Sequence, residues 1–172
     1  SYHALSTAYH VFLSNVPNKE LDIVQYLLLG FQIGNKLDHF LTNDLVLKME
    51  KTQKRVFGEF HRLCGLVRFM KLQNGMFYAK IHPDNNVIEL LGHHFIARLP
   101  NENFILHDQK RNIALLYNTK EYLLTEAKNI KVTSLPEEEL YYQNLWKCFY
   151  HTILIKERKN SRLRMQFMPK KY

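Results

Sequence analysis

His94 and Arg98 stand a helical turn apart in the stretch His93-His94-Phe95-Ile96-Ala97-Arg98. Side chains at i and i+4 of a helix share a face. The pair could therefore grip a phosphate or carboxylate, with the guanidinium as a planar fork and the imidazole as a second donor. In the commoner arrangement, both cover the edge of a Leu91/Phe95 apolar stripe and bond nearby carbonyls. Arg68 is a second such residue. If 66–72 is a strand, Arg68 shares a face with Leu66 and Met70. A cation between apolar neighbours needs a ligand, or an ion pair with an acid such as Asp108 or Glu59. His107-Asp108 ends another apolar run and Arg111 follows in the turn. A local Asp108–Arg111 bridge is the plain reading, and a base or metal ligand at a strand end in a cleft is the alternative. His61, His94 and Asp108 are the candidate acid–base groups. They have no recognised zinc spacing, even with His107 added, so no metal site is expected.

The richest anion-binding candidate is the C-terminal end. From Lys147 to Tyr172 eight basic residues face a single acid, Glu157, a net +7 out of +8 for the whole chain. Lys156, Arg158, Arg162, Arg164, Lys170 and Lys171 could neutralise phosphates and release counterions. Asn160, Ser161 and Gln166 can donate to phosphate or base edges. A solvated charged face is the usual fate of such a run. Met165, Phe167 and Met168 interleave with the charges, which favours an ordered, docked segment. A near-neutral body with one cationic end points to a polyanion.

The elements that must position these residues can be read from periodicity. Residues 1–34 predict two helices, the second following Pro17. Thr42-Asn43-Asp44 offers a cap for a long amphipathic helix with Val46, Met49, Gln53, Val56, Phe60 and Leu63 at spacings of three and four. Asn74-Gly75 signals a type I′ hairpin between strands at 66–72 and 76–82. Asn86 with Glu89 resembles a capping box opening a helix over 87–99. Strands at 104–108 and 113–117 flank a turn, and 122–124 suggests a further short strand. Ser134-Leu135-Pro136-Glu137 caps a final helix to about residue 157, with Tyr142, Leu145, Trp146, Phe149, Tyr150 and Ile153 as its buried stripe.

This order predicts an α+β fold. It is a mainly helical single domain over 1–172, with a small antiparallel sheet (hairpin 66–82 plus strands 104–117) and a long C-terminal helix. Within it lie N-terminal helices at 1–34, a central body at 35–130 and a C-terminal helix with its basic segment at 134–172. Two cysteines, Cys64 and Cys148, in 172 residues suggest a reducing compartment and no disulfide framework. No apolar run approaches the roughly 18 residues of a membrane span, so the cytoplasm is the expected location and no membrane partner is expected. The absence of a P-loop, a G-x-G-x-x-G run, a deaminase zinc pattern and a C-x-x-x-C-x-x-C site leaves no expected cofactor.

Eight motifs in order carry a family resemblance. They are Glu59-Phe60-His61-Arg62, Leu66-Val67-Arg68-Phe69, Tyr78-Ala79-Lys80-Ile81-His82-Pro83-Asp84, His94-Phe95-Ile96-Ala97-Arg98, Ile105-Leu106-His107-Asp108-Gln109-Lys110-Arg111, Leu145-Trp146-Lys147, Ile155-Lys156-Glu157-Arg158-Lys159-Asn160 and Met168-Pro169-Lys170-Lys171-Tyr172. The set resembles a bacterial domain of unknown function described as a "probable DNA metabolism protein". Members are encoded beside a radical-SAM DNA modification or repair protein, or are fused to a uracil-DNA-glycosylase-like domain. The resemblance covers almost the whole chain, most specifically from Val56 onward. It implies DNA metabolism or repair, with DNA and the radical-SAM protein as partners, and it brings no established catalytic residues. The matching polar positions are His61, Arg68, His94, Arg98, Asp108, Arg111, Arg158 and Asn160. Leu66-Val67 stands where the pattern often has a bulkier aromatic before Arg-Phe, and members usually continue beyond Tyr172 with a Trp and an acidic ending.

Three functions fit these residues. The first is a nucleic-acid-binding accessory to a DNA-modifying enzyme, with Arg68, His94, Arg98 and Arg111 forming an anion pocket. The second is an enzyme on DNA or nucleotides, with His61 or His94 as general acid/base and Asp108 as base. The third is a protein-interaction module whose cationic end docks an acidic partner.

Overall fold

Asn43 starts the longest helix. Its Oδ1 accepts the backbone N–H of Leu45 at 3.0 Å and of Val46 at 3.2 Å, so the expected cap is made and α3 runs Asp44–Leu66. The computed structural model describes residues 2–127, 135–153, 160, 162, 163 and 165. The fold is α+β, and its contacts divide the chain into two compact units, residues 1–62 with 83–87 and residues 63–82 with 88–172.

In the first unit, α1 (Tyr2–Leu13) and α2 (Lys19–Ile33) lead through a 3-10 turn, Gly34–His39, into α3. Ala4, Val11, Tyr26, Leu37, Val46 and Met49 form its core, with Ile23, Leu29, Ile33 and Leu45 packed against it. The α3 stripe holds as expected at Val46, Met49, Val56 and Leu63, all buried. It also buries Glu50 and Glu59, and each carboxylate has work to do. Glu50 Oε1 meets His3 Nε2 at 3.0 Å. Glu59 Oε1 accepts the Asp84 N–H at 2.9 Å, and its Oε2 accepts the backbone N–H and the Nδ2 of Asn85 at 2.8 and 2.7 Å. Asn85 Oδ1 in turn accepts the Asn15 N–H at 3.1 Å. Residues 83–87 are thereby tied to α3 and to the α1–α2 connection.

The second unit holds one five-stranded sheet, β1 (Met70–Lys71), β2 (Phe77–Ile81), β3 (Phe104–Asp108), β4 (Ile113–Tyr117) and β5 (Tyr122–Glu126), in that spatial order. It is mixed rather than wholly antiparallel, because β2 and β3 run parallel, Tyr78 beside Ile105 and Lys80 beside His107. A parallel pair needs a crossover, and α4 (Ile88–Arg98) supplies it. Gly92 lets α4 approach closely, since a Cβ there would fall inside the envelope of the Leu115 side chain. Phe69 fills the sheet end, 5.0 Å from Phe95 and 5.4 Å from Phe104 between ring centroids.

Three local expectations change. The 66–72 strand shrinks to Met70–Lys71, because α3 continues to Leu66 and residues 67–69 are coil. The hairpin turn is not type I′. Gly75 alone has positive φ, and the Gly75 N–H to Leu72 carbonyl bond closes a three-residue loop, the form that places one glycine in the left-handed region. No capping box forms at α4: Asn86 Oδ1 is buried and caps nothing among the described residues, and Glu89 instead accepts the Tyr122 hydroxyl at 3.3 Å. The final helix, α5, is described over Glu137–Ile153. Its expected cap at Ser134 lies outside the described residues.

Candidate nucleic-acid interface

The aromatic stripe expected to be buried along α5 is not buried. Tyr142, Leu145, Trp146, Phe149 and Ile153 are all 50–59% exposed, and no α5 residue is buried. Their spacing does put them on one face, and part of that face walls an open cleft of about 470 Å³, lined by Arg68, Phe69, Met70, Glu139, Tyr142, Gln143, Trp146 and Lys147. The volume falls within the roughly 300–1,000 Å³ of small-molecule sites.

Each wall has a local cause. Arg68 follows the end of α3, and its Nη1 donates to the carbonyls of Gly65 at 3.0 Å and Val67 at 3.1 Å. Those carbonyls are orphans of a helix C-terminus, where a cation is favoured. The guanidinium is thus anchored through one nitrogen, and it makes no salt bridge among the described residues. Glu139, in the first turn of α5, docks the helix onto the sheet edge. Its Oε2 accepts the Lys71 N–H at 3.1 Å and its Oε1 accepts the Gln143 Nε2 at 2.9 Å. Glu139, Gln143 and Lys147 follow one another at i+4, so they form a single column beside Tyr142 and Trp146. The cleft therefore offers three aromatic side chains, two cations, one carboxylate and one amide. It can stack a planar ring, pair an anion and read a polar edge.

The residues singled out from sequence do not all gather here. Of Arg68, His94, Arg98 and Arg111, only Arg68 lines the cleft. Arg98 is exposed at the end of α4, and His94 is half-buried with its ring 5.0 Å from Phe95. Arg111 and Asp108 form the local bridge, Nη1 to Oδ2 at 2.8 Å, while Asp108 Oδ1 accepts the N–H groups of Lys110 at 2.9 Å and Arg111 at 3.2 Å. The carboxylate is fully buried and organises the β3–β4 turn. His61 belongs to the first unit, exposed and stacked on Phe57 with ring centroids 6.4 Å apart. Asn160 is exposed and its Oδ1 accepts the Leu163 N–H at 2.9 Å; Arg162 is also exposed. Lys156, Arg158, Arg164, Lys170 and Lys171 lie outside the described residues.

Sequence reasoning missed Glu139 and Gln143 as site residues and treated Tyr142 and Trp146 as core. The available signal was the nature of the stripe. Tyr, Trp and Phe on one face are the amphipathic aromatics of interfaces, beside a column running from acid through amide to cation.

A buried polar pair sits inside the same sheet. Tyr78 OH meets His107 Nδ1 at 2.8 Å. Burial lowers the His107 pKa from its ordinary 6.5, with Asp108 pulling the other way, and burial raises that of Tyr78. Among the described residues, no group of three or more His, Cys, Asp or Glu side chains is placed to hold a metal ion. No helix among them is long and apolar enough to cross a membrane. No curated protein and no solved structure matches the chain. A family model matches residues 17–172, and the chain belongs to that family, the domain of unknown function DUF4130.

Proposed function

We propose that this chain is a nucleic-acid-binding protein of DNA modification or repair, an accessory that holds unpaired bases for a radical-SAM enzyme in the cytoplasm. The observation that carries the reading is the cleft between residues 68–70 and α5. Trp146 and Tyr142 offer π-faces for stacking, Arg68 and Lys147 offer charge for phosphates, and Glu139 and Gln143 offer acceptors and a donor for a base edge. Single-strand binding by other proteins combines these same parts, aromatic platforms beside cations. The concentration of +7 in residues 147–172 supports an electrostatic, backbone-tracking contribution beyond the cleft. The resemblance of the ordered motifs to the probable DNA metabolism proteins supplies the biological context of this reading.

Trp146 is the only tryptophan in the chain, so its fluorescence reports on the cleft alone. Titration with a short oligothymidylate should quench it, and duplex of equal length should quench it less. Trp146→Ala should weaken binding about 5- to 150-fold, the ~1–3 kcal/mol of one stacked base. Arg68→Ala and Lys147→Ala should each flatten the salt dependence by about 0.7 in log–log slope, one phosphate contact on a single strand. Unquenched fluorescence at saturating oligonucleotide, or affinity indifferent to salt, would overturn the reading in favour of a protein-interaction module. The enzymatic reading draws no comparable support, because the Asp108 carboxylate is taken up by the turn that contains Arg111.

A further inference from the structure

The first unit carries a second uncovered apolar surface, of a different chemistry. On α1, Tyr2, Leu5, Tyr9 and Phe12 recur at spacings of three, four and three, and on α2 so do Leu21, Val24, Leu28 and Phe31. Each series is two heptads of a/d positions, the spacing with which one helix packs along another. The inner faces of both helices are already used by the α1/α2/α3 core. These eight side chains point away from it, 39–89% exposed. The two seams are neighbours. Leu5 and Phe31 line the same groove of about 210 Å³ between α1 and α2, and Lys19 at the start of α2 stands over the ring of Phe12, 5.5 Å from its centroid.

The size of the surface says what kind of contact it makes. Taking ~150–250 Å² for each of the four aromatic side chains and about 100–150 Å² for each Leu or Val, those exposures amount to roughly 800 Å² of area. Monomeric proteins rarely leave a contiguous patch above a few hundred Å². A standard interface takes about 800 Å² from each partner, so this face alone suffices. Its charge says which partner. α1 has no Asp, Glu, Lys or Arg, and α2 has them only at Lys19, Glu20 and Asp22 in its first turn. A polyanion or an acidic protein would find nothing to pair with, and membrane-surface helices carry the Lys and Arg that these lack. Of the chain's net +8, residues 147–172 hold +7, so two copies that meet through α1 and α2 bring together a nearly neutral part of the chain.

We propose that the α1/α2 face is a homodimer interface, in which two helical hairpins meet across a two-fold axis as a four-helix arrangement. An isologous contact of this kind needs one self-complementary patch, and antiparallel neighbours with a/d seams pack in bundles at shallow angles.

Sedimentation equilibrium of the full chain tests it. At tens of micromolar (about 10–50 μM, the upper range for an interface of this size) the wild type should show twice the 20.6 kDa chain mass. Leu5→Glu and Leu28→Glu each place a charge in a seam from an already exposed position, so the monomer should keep its far-UV circular dichroism. Each should raise the dimer dissociation constant at least 10-fold, while Gln25→Glu, outside the a/d series, should leave it within about 3-fold. A wild type that stays monomeric at 100 μM would overturn the proposal. So would a dimer untouched by both seam charges, or a protein that is monomeric alone and associates only with neutral phospholipid vesicles.

Discussion

Replacing Glu59 with alanine should cost this protein a large share of its stability. The carboxylate is 2% exposed and receives three donors, the N–H groups of Asp84 and Asn85 and the Nδ2 of Asn85, at 2.9, 2.8 and 2.7 Å. Asp84 is half-buried and its freed N–H can turn to water. Asn85 is buried, so both its donors would be stranded, at about 1–3 kcal/mol each. The lost methylenes leave a small cavity as well. Roughly 4 kcal/mol is the expected loss, against the ~5–15 kcal/mol that holds a typical domain together. With a urea m-value of about 2 kcal/mol/M for a chain of this size, the midpoint should fall by about 2 M. Glu59→Gln keeps one acceptor and turns an amide NH₂ toward a donor, so it should recover less than half of the loss. Circular dichroism follows all helices, while Trp146 fluorescence follows the second unit, so the two probes also tell whether both units unfold together. Asn85→Ala removes the side-chain donor of the same contact, along with the Oδ1 acceptor of the Asn15 N–H, and the double variant should cost less than the sum of the two single ones. A Glu59→Ala loss under about 1 kcal/mol, or full additivity with Asn85→Ala, would refute the argument that this carboxylate holds residues 84–85 in place.

At Gly92, a methyl group would collide with the fully buried Leu115; Gly92→Ala should destabilise by up to about 2 kcal/mol, overpacking of ~1–3 less the ~1 gained in helix propensity. Adding Leu115→Ala to Gly92→Ala should cost less than Leu115→Ala costs alone, because the new methyl fills part of the space; equal costs in thermal unfolding would show that the contact is not tight. His107 should make stability depend on pH. Its folded pKa lies below the ordinary 6.5, so the unfolded state binds the proton more readily. Its contribution is complete above about pH 6.5 and is lost as the pH falls through the folded value. The urea midpoint of the wild type should drop between pH 7.5 and 5, and His107→Gln should lower the midpoint at pH 7.5 but drop less between the two; parallel curves would exclude His107 as the source.

Much of the architecture is legible where a local interaction decides it. Asn43 caps α3 because its side chain reaches N–H groups two and three residues on, and Asp108 organises its turn in the same way. The parallel β2–β3 pair is open to the same reading, since a parallel pair needs a crossover and a helix lies between these two strands. The antiparallel expectation treated each hairpin separately and overlooked that. Glu59 shows an intermediate case. A carboxylate at the edge of the Val56/Phe60/Leu63 stripe announces a buried acid, but its partners are 25 and 26 residues away. Periodicity fails in one respect, at α1, α2 and α5 alike. Spacing says which side chains share a face, and it does not say what covers that face. The spacing of Tyr142 and Trp146 is equally that of a core stripe and of an exposed platform. The apolar run Leu66, Val67, Phe69 and Met70 predicts a strand around Arg68, whereas α3 runs on through Leu66 and leaves Arg68 just past its end.

The two uncovered apolar surfaces differ in what accompanies them, and that difference separates their partners. The α1/α2 seams are aliphatic and aromatic with no charge beyond the first turn of α2. The cleft beside α5 is lined by aromatic rings together with Arg68 and Lys147. Added salt therefore acts on them with opposite sign. Counterions compete with phosphates at the cleft, so affinity there falls as salt rises. A cationic chain associating through an uncharged face has its self-repulsion screened by the same ions, and an excluded salt such as sulfate strengthens apolar burial further. Raising sulfate should thus release an oligonucleotide while tightening the dimer. If one surface served both purposes, the two would rise or fall together, and the assignment of separate partners to separate faces could not stand.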